Sequence, residues 1–341
     1  MKIVIDAYGG DNAPHAIIEG VCLALKKWND FSVILTGDEI GIENELKKHE
    51  GVDTGRVSIV HAPEIITCDE KPTIAIKKKK NSSLVAAMEI MSRHEADCLI
   101  SAGSTGAVLT GATLIVRRIP GVKRPALAPI MPTGTKPFLL LDCGANADCK
   151  PEYLQQFAIM GSTYMQNVMG IYSPSVALVN NGEEKAKGSE LAKASYDLIS
   201  KTDVCFAGNC EGRDIFSGKY DVIVTDGFTG NVILKEAEGF AMELFKMLKN
   251  ELLSSFKSKL GAMLCKSAFK SVKKLMDYTE YGGAPLLGIN GGIIKAHGSS
   301  DAKAIVSAVL QARRYVNSGV TEKIAKSIAS IPAEDTVVEG L

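Results

Sequence analysis

The feature that most restricts this chain is an alternation. Short runs rich in apolar and β-branched residues recur at 2–6, 32–36, 57–60, 98–101, 126–131, 138–141, 175–179, 204–206 and 221–225. Helical patterns lie between most of them, at 82–93, 105–117, 152–168 and 190–199. A strand with one wet face alternates apolar and polar residues, whereas a strand covered on both faces is apolar throughout. Most of these runs are of the second kind. They predict an α/β fold of three layers, α/β/α, around a largely parallel, partly mixed sheet. The stretch 126–141 adds an antiparallel hairpin, because residues 132–137 (PTGTKP) separate its two runs.

No Gly/Ser linker or low-complexity segment divides residues 1–341, which predicts one compact body or two intertwined lobes. The pattern changes at 229. Ile233, Ala237, Phe240, Leu244 and Leu248 recur at three- and four-residue spacing and mark a long helix. The stretch 252–276 then carries Lys257, Lys259, Lys266, Lys270, Lys273 and Lys274, apolar residues between them and no acid. Such a basic amphipathic segment lies on an anionic bilayer or pairs with a second copy, so 229–280 is the candidate region for dimerisation and membrane contact. A Gly-rich loop at 281–292 and a helical pattern at 301–317 complete the chain.

Lys plus Arg and Asp plus Glu balance at 39 each, so no global charge draws the protein to nucleic acid. No apolar run approaches the roughly 18 residues of a spanning helix. The first residues read as strand and turn rather than as a secretory leader. The 8 cysteines are scattered without zinc-ligand spacing, which predicts reduced, cytosolic thiols; Cys98 and Cys205 sit in strand-like runs as small hydrophobes.

In open α/β sheets, ligands bind beyond the carboxyl ends of the strands. Here those loops are rich in Gly, Asn, Asp and Ser. After the first run come Asp6, Gly9 and Gly10, with Asn12 as a helix cap, Pro14 for the first helical turn, and His15. After the fourth comes Ser101-Ala-Gly103-Ser104-Thr105-Gly106. Its bare backbone at a helix start suits a small anion, or suits close packing of helix on sheet. Asn146 follows the run ending at 141. Lys187 stands just before a helix, where the dipole disfavours a cation unless an anion is present; otherwise it is a solvated surface lysine. Asn231, near the start of the long helix, is a hydrogen-bond donor toward the strand ends or a local turn residue. Asp226 orients these groups or closes the turn. Gly208 to Asp214 form a further loop, and Lys77–Lys80 read as a solvated face or a dock for an acidic partner. Of the five histidines, only His15 and His297 sit in such loops.

Taken in order, DAYGGDNAP, SAGSTGA, LDCGANADCKPEYLQQFA, NNGEEKAKGSE, FAGNCEGRDI, DGFTGNVILKEAEG and DYTEYGGAPLLG resemble the phosphate acyltransferase (PlsX) family of bacterial phospholipid synthesis, from residue 1 to about 319. The resemblance implies transfer of a long-chain fatty acyl group from acyl carrier protein (ACP) to inorganic phosphate. A membrane acyltransferase would then pass the acyl phosphate to glycerol 3-phosphate. It also implies a fold like the isocitrate/isopropylmalate dehydrogenases and phosphotransacetylases, a homodimer, and a cytoplasmic protein peripherally associated with the membrane. Its catalytic Lys falls on Lys187 and its catalytic Asn on Asn231. The candidate phosphate- or substrate-binding residues are Asp6, Gly9, Gly10, His15, Ser101, Gly103, Ser104, Thr105, Gly106, Asn146, Asp226 and Gly230. His15, Ser104, Asn181 and Lys185 depart from the family's usual residues.

The chemistry suits these groups. A thioester is already activated and phosphate is already a nucleophile, so positioning and charge stabilisation suffice, without metal, cofactor or triad. A nicotinamide dehydrogenase would show an acidic metal cluster and substrate-binding arginines, and neither is visible. A phosphotransacetylase could use the same groups, but the motif set disfavours it. A membrane scaffold is the non-enzymatic rival, motivated by the basic segment.

Overall fold

The computed structural model describes residues 1–275 and 282–331. The end of the basic segment at 276, and the beginning of DYTEYGGAPLLG with Tyr281, lie outside the described residues.

The chain runs β1 (Lys2–Asp6), α1 (His15–Lys27), β2 (Ser32–Gly37), α2 (Glu39–Leu46), β3 (Val57–His61), α3 (Pro72–Lys78), α4 (Ser83–Ser92), β4 (Cys98–Ser101), α5 (Thr105–Gly111), β5 (Ala126–Leu127), β6 (Ile130–Met131) and β7 (Phe138–Leu141). It continues α6 (Pro151–Asn167), β8 (Ser175–Asn180), α7 (Glu190–Ile199), β9 (Cys205–Glu211), β10 (Val222–Val224), α8 (Gly227–Leu252), α9 (Phe256–Leu264), α10 (Lys266–Leu275), β11 (Ala284–Leu287), β12 (Gly292–Lys295), α11 (Ala302–Ser318) and α12 (Val320–Ala329). The helix of α5 continues through a wider π turn at Ala112–Val116.

The strands divide between two sheets, a division the sequence pattern does not reveal. One has the order β3-β2-β1-β4-β12-β11-β5 and the other β6-β7-β10-β8-β9. In the first, β11 runs antiparallel to β12 and β5; in the second, β6 runs antiparallel to β7; the remaining pairs are parallel.

The uniformly apolar strands are buried on both faces, as their composition demands. In β1, Ile3 and Ile5 pack toward Ile17, Ile18 and Val21 of α1 and Ile305 and Val309 of α11. Val4 packs the other way, against the cluster that holds Leu84, Val85 and Met88 of α4. In the second sheet, Leu139, Leu141, Val222 and Val224 share a cluster with Leu154 and Phe157 of α6. Phe138, Leu140 and Ile223 face a small cluster closed by Ile233, Leu234 and Ala237 of α8. The α6, α11 and α12 helices join the two halves. Gln311 donates to the Tyr164 hydroxyl at 3.3 Å, and one apolar cluster extends across both sheets.

Several local expectations are corrected. The hairpin forms, with Ile130 opposite Leu139, but the run 126–131 is split, because Ala126 and Leu127 pair with β11 in the other sheet. Within the Gly-rich stretch 281–292, residues 284–287 are strand; its turn glycines masked a run of apolar residues. The strand expected at 204–206 extends through Glu211, so Gly208, Asn209 and Cys210 are strand rather than loop. Cys205 is exposed while Cys98 is buried. Asn12 does not cap α1; its amide donates to the carbonyls of Ser299 and Ser300.

Candidate active site

The carboxyl ends of β1, β4 and β12 meet at one edge of the first sheet. Facing them are the loop after β7 and the start of α8 from the second. A cavity of about 490 Å³ lies between, lined by Ala102–Thr105, Cys143, Gly144, Asn231, Lys235, Glu238, Lys295 and His297 among others.

The floor of this site is a hydrogen-bonded stack. The hydroxyl of Ser101, at the end of β4, donates to Asp6 Oδ2 at 2.7 Å and accepts from the Gly103 amide at 3.1 Å. Asp6 is buried, and burial pushes its carboxyl above the usual carboxylate range. A Cβ on Gly9 would lie 2.4 Å from Asp6 Oδ2 and 2.8 Å from the Gly103 nitrogen. The glycines here are therefore bare because two loops meet, and Gly106 is bare because Pro72 of α3 would lie 2.7 Å from its Cβ. Gly10, at φ +99°, brings the chain against Gly298. Close packing accounts for the glycines; Ser104 and Thr105, whose side chains line the cavity, are the groups left for a ligand. The Ser104 side chain makes no capping bond to α5.

Asn231 reaches the cavity from α8 and its side chain has no hydrogen-bond partner among the described residues. Asp226 caps α8, accepting from the Thr229 amide and hydroxyl, each at 2.8 Å. Gly230 has no room for a side chain, since a Cβ would lie 1.9 Å from the Asp142 carbonyl oxygen. Asn146 is committed internally: its amide nitrogen donates to Pro125 O at 2.7 Å and to Asp142 Oδ2 at 3.0 Å. Asp142 also accepts from the backbone of Leu127, Ala145 and Asn146, and burial raises its carboxyl to about 6.

Lys187 lies elsewhere. It sits in the exposed loop between β8 and α7, and its carbonyl accepts from the Asn180 amide at 3.1 Å. Ser189 caps α7 through the Ala192 amide. A separate depression of about 320 Å³ adjoins this loop, lined by Asn180, Gly188, Ser189, Asp226 and Thr229 among others. Asn231 thus lines one hollow, and Gly188, the residue after Lys187, lines the other. His15 stands apart from both, at the first turn of α1, with Nδ1 3.0 Å from Glu45. His297 does line the cavity, its Nδ1 2.8 Å from the Ser299 hydroxyl; burial lowers its basicity.

Lys295 was missed by sequence reasoning. It ends β12, is buried, and lines the cavity beside the 102–105 loop. Its only signal was position: a lysine closing an apolar strand, GIIK. Among the Lys77–Lys80 run, Lys79 is spent on Glu70 at 2.7 Å and on Ile65 O at 2.7 Å, leaving the other three exposed. Among the described residues, no group of three His, Cys, Asp or Glu is placed to hold a metal ion.

The fold resembles solved phosphotransacetylases. EutD phosphotransacetylase from Staphylococcus aureus superposes with TM-score 0.60 at 16% identity, covering 93% of this chain and 94% of that one. A phosphotransacetylase from Streptococcus pyogenes gives 0.60 at 17% identity, covering 97% and 94%. In sequence, phosphate acyltransferases from Alkaliphilus oremlandii and Clostridium novyi are 50% and 49% identical, over 97% and 96% of this chain and 98% of each relative. The fatty acid synthesis protein family matches residues 1–323. The chain therefore belongs to that family, among its phosphate acyltransferases.

Proposed function

We propose that this acyltransferase moves a long-chain fatty acyl group from acyl-ACP to inorganic phosphate. The observation that carries the reading is the cavity between the sheet edges, where Ser104, Thr105, Asn231 and a buried lysine converge around polar space with apolar walls from Leu127, Ile130, Met131 and Leu234. A phosphate oxygen attacks the thioester carbonyl carbon, forming a C–O bond. The carbonyl electrons move onto oxygen and return as the C–S bond breaks. ACP leaves as thiolate and takes a proton from solvent, and acyl phosphate remains. Asn231 donates to the transient oxyanion, and Lys187 neutralises phosphate or oxyanion charge once its exposed loop closes over the site. Asp6, Gly9, Gly10 and Gly103 shape the floor. A membrane glycerol-3-phosphate acyltransferase consumes the product.

The protein acts as a homodimer on the cytoplasmic face of an anionic membrane. Phe240, Met242 and Met247 of α8 and Phe256, Met263 and Leu264 of α9 are each more than half exposed, and such a surface favours a covering partner. Among the described residues, no helix is long and apolar enough to cross a membrane. The acidic carrier docks on exposed lysines such as Lys77, Lys78, Lys257 and Lys259, an attraction that weakens with salt.

The test is phosphate-dependent release of free ACP from long-chain acyl-ACP, without metal or nicotinamide. Release that saturates with phosphate and yields acyl phosphate supports the reading. No release with membranes supplied, or release only from acetyl-CoA, defeats it.

A further inference from the structure

Lys295 is a buried cation without a counter-ion among the described residues. It lies in register with Ser101, so both side chains leave the sheet at the same edge. It is 8% exposed. Its ammonium donates to the Ala296 carbonyl and makes no ion pair with a described residue. An ammonium has three donors and pays heavily for desolvation unless paired. One donor is used. Burial holds it down to about 8, against the opposing pull of Cys68, Asp6 and Asp11, the two carboxylates lying beyond ion-pair distance. Nearby, Asp6 Oδ1 is buried with no partner at hydrogen-bond distance among the described residues, though Ser83 and the Tyr8 backbone still favour its charged form. Replacing an unpaired buried charge with an apolar side chain ordinarily stabilises a fold. A lysine kept in such a place, with its head at a cavity wall, is set for an anion.

We propose that Lys295 is the phosphate-binding cation of the acyl-transfer site, its ammonium contacting a phosphate oxygen between the 102–105 loop and Asn231. Asp6 acts as a positioning residue, holding the loop through Ser101. The identity of the anion rests on the acyl-transfer reading above. The role is separate from that of Lys187, which does not line this cavity. Bound phosphate supplies a counter-charge, and the strand end holds the nucleophile in position for attack on the thioester.

The test compares the full-length wild type with Lys295→Met, which keeps length and removes charge. Titration calorimetry with inorganic phosphate should show affinity falling by about 10- to 100-fold, the scale of charge-assisted hydrogen bonds. In turnover, the KM for phosphate should rise while that for acyl-ACP holds. Without phosphate, Lys295→Met should melt no lower than wild type, and added phosphate should raise the wild-type Tm alone. Lys295→Gln serves as a second, polar variant with the same expected loss. Unchanged phosphate affinity in a folded variant overturns the proposal, as does a wild type that binds no phosphate. Unfolding of both variants makes the residue structural and overturns it too. Wild-type phosphate binding that depends on Lys295, without ACP release, would defeat the acyl-transfer reading and leave this assignment standing.

Discussion

Lys187 and Lys295 occupy opposite surroundings beyond the strand ends of two mixed sheets. Lys187 lies on an exposed loop, anchored only through its backbone. Lys295 is buried at the end of a central strand. On the proposed reaction, the difference separates two jobs. A buried, strand-borne cation is pre-positioned and cannot move far; an exposed, loop-borne one is free to close on a substrate and release the product. Asn231 belongs with the second kind in exposure, yet sits on a helix whose start is locked against the 142–146 loop.

The largest expected effect falls on that lock. Gly230→Ala would drive a methyl into the Asp142 carbonyl, 1.9 Å away. Denaturant unfolding should show a loss of about 4 kcal/mol or more, or no folded protein. A stable Gly230→Ala with weakened phosphate binding would instead make Gly230 part of the ligand site.

One residue on, the effect should switch from stability to rate. Asn231→Ala removes a side chain without internal partners, so the Tm should hold while kcat falls by about 100- to 1000-fold. Lys187→Ala should behave alike. Near-full turnover in both variants would break the assignment of chemistry to the exposed half.

A smaller effect is expected at the buried floor. Ser101→Ala deprives Asp6 and the Gly103 amide of a partner and should lower stability by about 1–3 kcal/mol. It should also raise the KM for phosphate more than the KM for acyl-ACP. A stability change without a KM split would reduce the Asp6–Ser101 pair to packing.

The last comparison is a pH slope. Burial lowers the Lys295 ammonium to about 8 from an ordinary 10.5. Between those values the unfolded chain binds the proton that the native chain has released, so native stability rises with pH. Wild type should therefore gain on Lys295→Met as pH climbs from about 8 toward 10.5, read as a shift in denaturant midpoint. A constant difference would show the lysine to be solvated in the native state.

The chain names several of the residues that line the cavity. Asn231 and Ser101–Thr105 were recognisable because helix starts and strand ends carry local signatures. They do not tell that Asn146 is bonded to Asp142 or that Asp226 caps a helix. Nor do they tell that His15 faces Glu45. Type and spacing show that a residue can bind, but not whether its own chain has already claimed it.

The sequence by itself determined the layered α/β architecture, since strands apolar on both faces must be covered on both faces, and Ile3, Val4 and Ile5 have only that way to leave water. It also determined the family, which its ordered motifs carry. Only the tertiary structure decided that the strands form two sheets, that Ala126 and Ile130 part company between them, and that Lys295 comes to lie beside Ser101. Those outcomes depend on pairings between residues far apart in the chain, and local periodicity carries no record of which distant strand a segment will find.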